Sequence, residues 1–290
     1  GGGLVDYLVG DPVVSPVDHA GFFLESLAFL PTKVSYQVNN YKTDPFIGAL
    51  EPRSKTRTSS GNAEETRTGS GNSRKRRTGS EIAEDVPDAD IVFTSLNHAR
   101  KVKPMRFDSF MRILAAVPGS KLSILARHSS TGDHLRREAE SRGVASDRIH
   151  IAKVLGKKEH VARFQASHLF LDTFPYAAHT TCSEALYAGL PVITRPGQTF
   201  ASRVAASLLT ALGAVNHTCV RSEEDFSALA IALSKRDGAL EALRGKVETL
   251  GRDSLLFKQE HWVASWDRLL CQLWELRAFN LTPRPVVATR

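Results

Sequence analysis

Three short stretches of the sequence gather residue types able to hold an anion. The first, Asn97-His98-Ala99-Arg100-Lys101-Val102-Lys103-Pro104, sets a histidine and three cations in eight residues. The second, Gly156-Lys157-Lys158-Glu159-His160-Val161-Ala162-Arg163, has the look of a turn entering a helix. There His160 and Arg163 are three apart and share a face. Lys157 near a helix start is disfavoured by the helix dipole, unless it meets an anionic ligand. The third, Asp172 to Thr181, follows an apolar run and opens a helix. Ala177 and Ala178 allow close backbone approach. Thr180 and Thr181 put hydroxyls and free N–H groups at a helix N-terminus, an arrangement suited to phosphate. Glu184, one turn further in, is placed to accept from a ribose hydroxyl pair. Each stretch also has a plain reading. The two basic ones fit solvated turns, and Thr180 fits an ordinary N-cap.

The elements around these stretches decide whether they meet. From Asp90 onward, apolar runs of four to six residues alternate with helical patterns. The pattern predicts strands at 91–93, 122–126, 149–154, 169–171 and 192–194. It predicts helices at 107–117, 133–142, 158–167, 181–188 and 201–212. Gly143, Gly189 and Gly213 stand just past three of those helices, where a helix stops. Apolar strands separated by crossover helices specify an α/β fold with a doubly wound parallel sheet. In such a sheet ligands bind beyond the carboxyl ends of the strands, which is where the three stretches lie. Residues 222–279 read as helices. Trp262, Trp266, Leu269, Leu270, Leu273 and Trp274 fall at three-to-four-residue spacing, a stripe expected to pack as core.

The segment 51–80 has no large apolar residue and repeats a Thr-Arg-Thr-Ser/Gly-Ser pattern. Such a composition cannot offset its ordering entropy, so 49–89 is expected to be a disordered insertion. Residues 51–80 hold eight basic and three acidic residues, and 81–90 hold five acidic and no basic ones. These charges cancel, so the net charge of +7 belongs to the remaining 250 residues. A surplus spread that thinly suits an enzyme with an anionic substrate as well as it suits nucleic acid. Arg74-Lys75-Arg76-Arg77 fits a solvated linker, a localisation signal or a phosphate-binding patch, and it lacks the aromatic interleaving of a specific nucleic-acid binder. At 42% hydrophobic and 24% charged, the chain is a globular one. No run reaches the roughly eighteen apolar residues of a membrane span. Cys182, Cys219 and Cys271 are far apart, which argues against a disulfide scaffold or structural zinc. There is no GxGxxG, no GxxxxGK[ST] and no HExxH, leaving a nucleotide held by cations and helix N-termini without metal. The chain opens on Gly1 with no signal-peptide pattern, and it is expected to be a piece of something longer.

At His179-Thr180-Thr181, with Ala185 to Thr194, Pro196-Gly197 and Phe200 to Ser207, the sequence closely resembles the C-terminal catalytic lobe of protein O-GlcNAc transferases. Leu171-Asp172-Thr173-Phe174-Pro175-Tyr176 also looks like the SPINDLY branch and bacterial members. Residues 5–11, 15–16 and 25–31 look like the end of that family's N-terminal lobe. The resemblance implies a GT-B architecture: 1–48 would be a remnant of the first lobe, 90–279 a Rossmann-like C-terminal lobe with a helical tail, and 280–290 a flexible end. It implies inverting, metal-independent transfer of N-acetylglucosamine from UDP-GlcNAc to Ser or Thr hydroxyls of protein acceptors, in the cytoplasm or nucleus, with no cofactor. TPR repeats accompany full-length relatives.

Carried over by position, His179, Thr180 and Thr181 would hold the diphosphate. Lys101 would be the catalytic residue, stabilising charge on departing UDP. Lys157, His160 and Arg163 would surround uracil and ribose, with the backbone of Leu155 near the base. Glu184 would take the ribose. His98 stands where the family usually has Gln, and Glu184 where it has Asp. The family's acceptor-side histidines have no counterpart, so this chain by itself is expected to be inactive. A SPINDLY-type O-fucosyltransferase using GDP-fucose, and a non-catalytic nucleotide-binding module, are the alternatives. His179 favours the GlcNAc branch.

Overall fold

The computed structural model describes residues 4–37, 39–41, 86–251 and 254–288. The expected insertion over 49–89 therefore lies mostly outside the described residues.

The main sheet follows from the apolar runs. β3 (Ile91–Ser95), β4 (Ser120–Leu125), β5 (Ile149–Ala152), β6 (Leu169–Leu171) and β7 (Val192–Ile193) lie side by side in the order β5-β4-β3-β6-β7. Every pairing is parallel, with Phe93 opposite both Leu122 and Leu169, and Phe170 opposite Val192. Parallel neighbours need a crossover. Here α1 (Pro104–Ala116), α2 (Ser129–Glu140), α3 (Lys157–Ala166) and α4 (Thr180–Tyr187) supply it. α5 (Phe200–Leu212) and a short α6 (Val215–Thr218) follow β7, then α7 (Glu223–Lys235), α8 (Ala239–Gly251) and α9 (Gln259–Ala278).

Two cores flank the sheet. One face carries Phe107, Phe110 and Leu114 of α1 with Phe226 of α7. The other carries Phe164 of α3, Cys182 and Leu186 of α4, Leu208 of α5 and Val247 of α8. Both phenylalanines at the middle of the sheet, Phe93 and Phe170, are wholly buried. Each such side chain contributes about 1.5–3 kcal/mol. Because β4 and β5 run to one side of β3 while β6 and β7 run to the other, the strand order reverses between β3 and β6. The chains leaving these two strands turn to opposite faces and open a crevice between them.

A second, parallel sheet is built from both ends of the chain: β1 (Tyr7–Gly10), β2 (Ser26–Phe29) and β8 (Val286–Val287), in the order β1-β2-β8. The end expected to be flexible over 280–290 instead pairs Val286 with Ala28 and Val287 with Phe29. It is held because it completes a hydrogen-bonded edge beside α9. That helix packs Trp262, Trp266, Leu269 and Leu273 on Ala28, Leu30 and Val34. Leu270 and Trp274, expected in the same stripe, are exposed at 45% and 72%. They sit one position beyond Leu269 and Leu273, about 100° further round the helix and off the seam.

Candidate functional site

The loop after β3 makes a short 3-10 turn, Ala99–Lys101, before Pro104 opens α1. His98 precedes the turn, is exposed, and accepts the Arg100 backbone N–H on Nδ1 at 3.3 Å. Partial desolvation, then the charges of Arg100, Arg127, His128 and Lys101, hold its pKa below the ordinary histidine value. Lys101 turns inward. Its ammonium donates to the Ala177 carbonyl at 3.1 Å and lies 3.9 Å from the centre of the Tyr176 ring. Burial lowers its pKa, and Asp172 partly offsets this. Lys103 is exposed.

The loop after β6 is organised by Asp172, a wholly buried carboxylate at the strand end. Its Oδ1 accepts the N–H groups of Thr173 and Ala178, each at 2.7 Å, and its Oδ2 accepts the Thr194 hydroxyl at 2.6 Å. Burial nevertheless pushes its pKa up to about 6. Thr173 donates to the Tyr176 carbonyl at 2.7 Å and accepts from Asn97 at 3.0 Å, tying this loop to the one after β3. A parallel bridge between Val102 and Phe174 adds a second tie.

The loop delivers His179 as the cap of α4. The cap makes no side-chain hydrogen bond to the helix. Thr180 is the first helical residue, so the plain N-cap reading does not hold for it. The N–H groups of that first turn have no intrahelical acceptor, which leaves a site for an anion. The His179 ring donates from Nε2 to the Ala201 carbonyl at 3.3 Å, and burial lowers its pKa. Thr180 is exposed and Thr181 half-buried.

One turn into α4, Glu184 lies 3.5 Å from Nε2 of His160 on α3. The two residues expected at the ribose are thus paired with each other. The remaining residues divide. Lys157 is exposed at the first position of α3, and Leu155 is half-buried just before it. Arg163 is the residue expected with Lys157 and His160 around the uracil and ribose. It is wholly buried, and its guanidinium donates to the Lys153 carbonyl at 2.9 Å. Six residues after Lys157, it is buried and holds the strand-to-helix loop that carries Leu155. The fold therefore brings Lys101, His179, Thr180 and Thr181 to the crevice, with Glu184 and His160 one helical turn away.

Sequence reasoning passed over three contributors. Asp172 is legible only as an acid closing an apolar run. Tyr176 gives no periodic signal. Arg106 is a wholly buried cation paired with Glu223 at 3.0 Å; Glu223 also meets Arg195 at 2.9 Å, and Arg195 covers the Phe174 ring at 4.3 Å. That cluster props the loop after β6 from below. Its signal is a charge at position 106 on the helix face of Phe110 and Ile113.

Comparison with known proteins adds relatives to this geometry. The sequence model of glycosyl transferase family 41 matches residues 48–266. The chain is 30% identical over 280 residues to an Arabidopsis thaliana protein named as the probable UDP-N-acetylglucosamine–peptide N-acetylglucosaminyltransferase SEC. That match takes in 97% of the chain and 26% of the plant protein. It is 34% identical over 190 residues, 66% of its length, to a Caenorhabditis elegans UDP-N-acetylglucosamine–peptide N-acetylglucosaminyltransferase, of which it spans 16%. Among solved structures, a mutant O-GlcNAc transferase of Thermobaculum terrenum superposes with a TM-score of 0.69 at 25% identity, over 93% of this chain and 46% of that one.

Proposed function

The chain belongs to glycosyl transferase family 41, and on that premise we propose that it is the UDP-sugar-binding part of a protein O-GlcNAc transferase. The observation that carries the reading is the meeting of Lys101 and the open α4 N-terminus at the point where the strand order reverses. A diphosphate is the ligand this pairing suits: one phosphate against the N–H groups of Thr180 and Thr181, with the Lys101 ammonium beside it. Glu184, released from His160, would accept the two ribose hydroxyls. Leu155 and Lys157, on the loop that Arg163 supports, would flank the base. His98 adds a donor at the mouth.

In the reaction a Ser or Thr oxygen of a protein acceptor attacks the anomeric carbon as the bond from that carbon to the phosphate oxygen breaks. The electron pair leaves with UDP, and the configuration inverts. The acceptor hydroxyl's proton goes to a base, and none is assigned among these residues. Negative charge grows on the departing diphosphate, so a fixed ammonium there lowers the barrier more than it strengthens donor binding. The chain spans about a quarter or less of its curated relatives, and the transfer is proposed for the whole protein. Among the described residues no helix is long and apolar enough to cross a membrane, and a cytoplasmic or nuclear setting is part of the same proposal.

The test is a donor panel on the full-length protein with UDP-GlcNAc, UDP-glucose and GDP-fucose. Incorporation from UDP-GlcNAc into Ser or Thr of an acceptor supports the proposal. Incorporation from GDP-fucose alone moves the chain to the fucosyl branch, and incorporation from none makes it a binding module.

A further inference from the structure

Tyr176 stands at the centre of the crevice and belongs to none of the roles above. It is 46% exposed, so a ligand can reach it. Its ring lies beneath the Lys101 ammonium at 3.9 Å and stacks nearly parallel on His179, with ring centres 4.9 Å apart and planes at 21°. Its carbonyl is fixed by Thr173, which is itself fixed by Asn97. One aromatic ring thus joins a side chain arriving from the β3 loop to another arriving from the β6 loop.

We propose that Tyr176 is a positioning residue: its ring sets the Lys101 ammonium and the His179 imidazole in place, ready for a diphosphate. The inference rests on the nucleotide reading above and extends it to how the site is held before the ligand arrives. The choice of partner matters chemically. A carboxylate beside Lys101 would cancel its charge and compete with the phosphate. An aromatic face attracts a cation through its quadrupole and carries no net charge, so the local potential stays positive. A long lysine side chain otherwise loses rotamer freedom on binding, and prior ordering removes that cost from the ligand's affinity. Ala177, which accepts from the same ammonium, is buried, so its carbonyl is a fixed acceptor. The ring and the carbonyl together leave Lys101 little freedom.

The test compares wild type, Tyr176→Phe and Tyr176→Leu, alone and with Lys101→Met, using UDP as the probe. Nuclear magnetic resonance gives a ligand-free readout. The terminal methylene protons of Lys101, assigned by their loss in Lys101→Met, should be shifted upfield by the ring in wild type and Tyr176→Phe. They should return to the ordinary lysine position in Tyr176→Leu. In calorimetry Tyr176→Leu should weaken UDP binding about tenfold, and Tyr176→Phe should rescue it to within about threefold of wild type. With Lys101→Met in place, the penalty of Tyr176→Leu should shrink to about threefold, because one of the two side chains it positions is gone and only the His179 stacking is left to lose. A wild-type Lys101 signal without the ring shift overturns the proposal. So does Tyr176→Leu binding UDP as wild type does, or an undiminished penalty in the Lys101→Met background. If wild type binds no UDP, the nucleotide reading falls and takes the ligand half of this proposal with it. The ring shift then still decides whether Tyr176 holds Lys101.

Discussion

At the scale of single residues, Asp172 makes the sharpest claim on the site. Its carboxylate holds the loop that places Tyr176 and His179, yet it is buried with a pKa of about 6 against an ordinary value of 3.8. Between those values the folded protein keeps a proton that the unfolded chain has lost. Stability therefore falls as pH rises from about 4 to about 6, and is level above that. The proton can sit on Oδ2, where the Thr194 hydroxyl turns from donor to acceptor, while Oδ1 still receives both N–H groups. Asp172→Asn imitates that state. It should fold, and denaturant titrations across this range should show the slope gone. Asp172→Ala strands the N–H groups of Thr173 and Ala178, at about 1–3 kcal/mol each, and should lose stability at every pH.

Lys101 is tested by rate. If the full-length protein carries the proposed transfer, Lys101→Ala should lower its turnover by roughly a hundredfold or more with a much smaller change in apparent donor affinity, the mark of an interaction made in the transition state. Lys103→Ala, two residues on and exposed, is the control. Equal behaviour of the two variants contradicts the assignment.

What the sequence discloses at this scale is uneven. His179, Thr180 and Thr181 stand out because small and hydroxylated residues cluster before a helix. Arg163 misleads because helical spacing says which residues share a side and not which side is buried. Lys157, His160 and Arg163 are all polar, and only the fold shows that Arg163 is buried, as its neighbour Phe164 is. The buried pair of Arg106 and Glu223 joins α1 to α7 across a hundred residues, and no local pattern announces it.

At the scale of elements, alternation of apolar runs with helical periods fixes the strands and helices of the main sheet to within a few residues. The differences have local causes. α2 begins at Ser129 and not at Asp133, because Ser129-Ser130-Thr131-Gly132 has no apolar period. Gly132 is buried there, and a Cβ at that position would come 3.0 Å from Ile151 of β5. Gly213 was legible for a physical reason: its φ of 87° is a conformation that closes α5 without steric cost only in glycine.

β8 was not legible. Two valines after a proline carry no periodic signal, and their pairing is decided by β2, more than 250 residues earlier in the chain. Removing residues 282–290 should therefore have a local effect. Hydrogen exchange should speed up at Ala28, Phe29 and Leu30 and in α9, while β3 amides at the centre of the main sheet stay protected. Uniform loss of protection in both sheets would contradict the division.

At the scale of the whole molecule, the two sheets are fastened by a few directed contacts. Asp11, just after β1, accepts from the N–H groups of Val13, Val14 and Tyr36 and from the Ser207 hydroxyl of α5. Arg203 of α5 donates to the Val13 carbonyl at 2.5 Å, and Trp262 of α9 to the Tyr36 carbonyl at 3.3 Å. The end of the chain thus braces its beginning, and both lie against the lobe that carries the crevice. Periodicity announced an α/β protein and composition a mild positive surplus, but the meeting of Lys101 with the α4 N-terminus at the carboxyl edge of one sheet came from topology.

The central claim is that this edge binds a uridine diphosphate at the start of α4. Calorimetric titration of UDP into the wild-type chain and into His179→Ala with Lys157→Ala tests it most directly. Binding by wild type, weakened at least tenfold (about 1.4 kcal/mol) in the double variant with its melting temperature preserved, is the predicted result. Equal affinity in the two proteins would contradict the placement of the site.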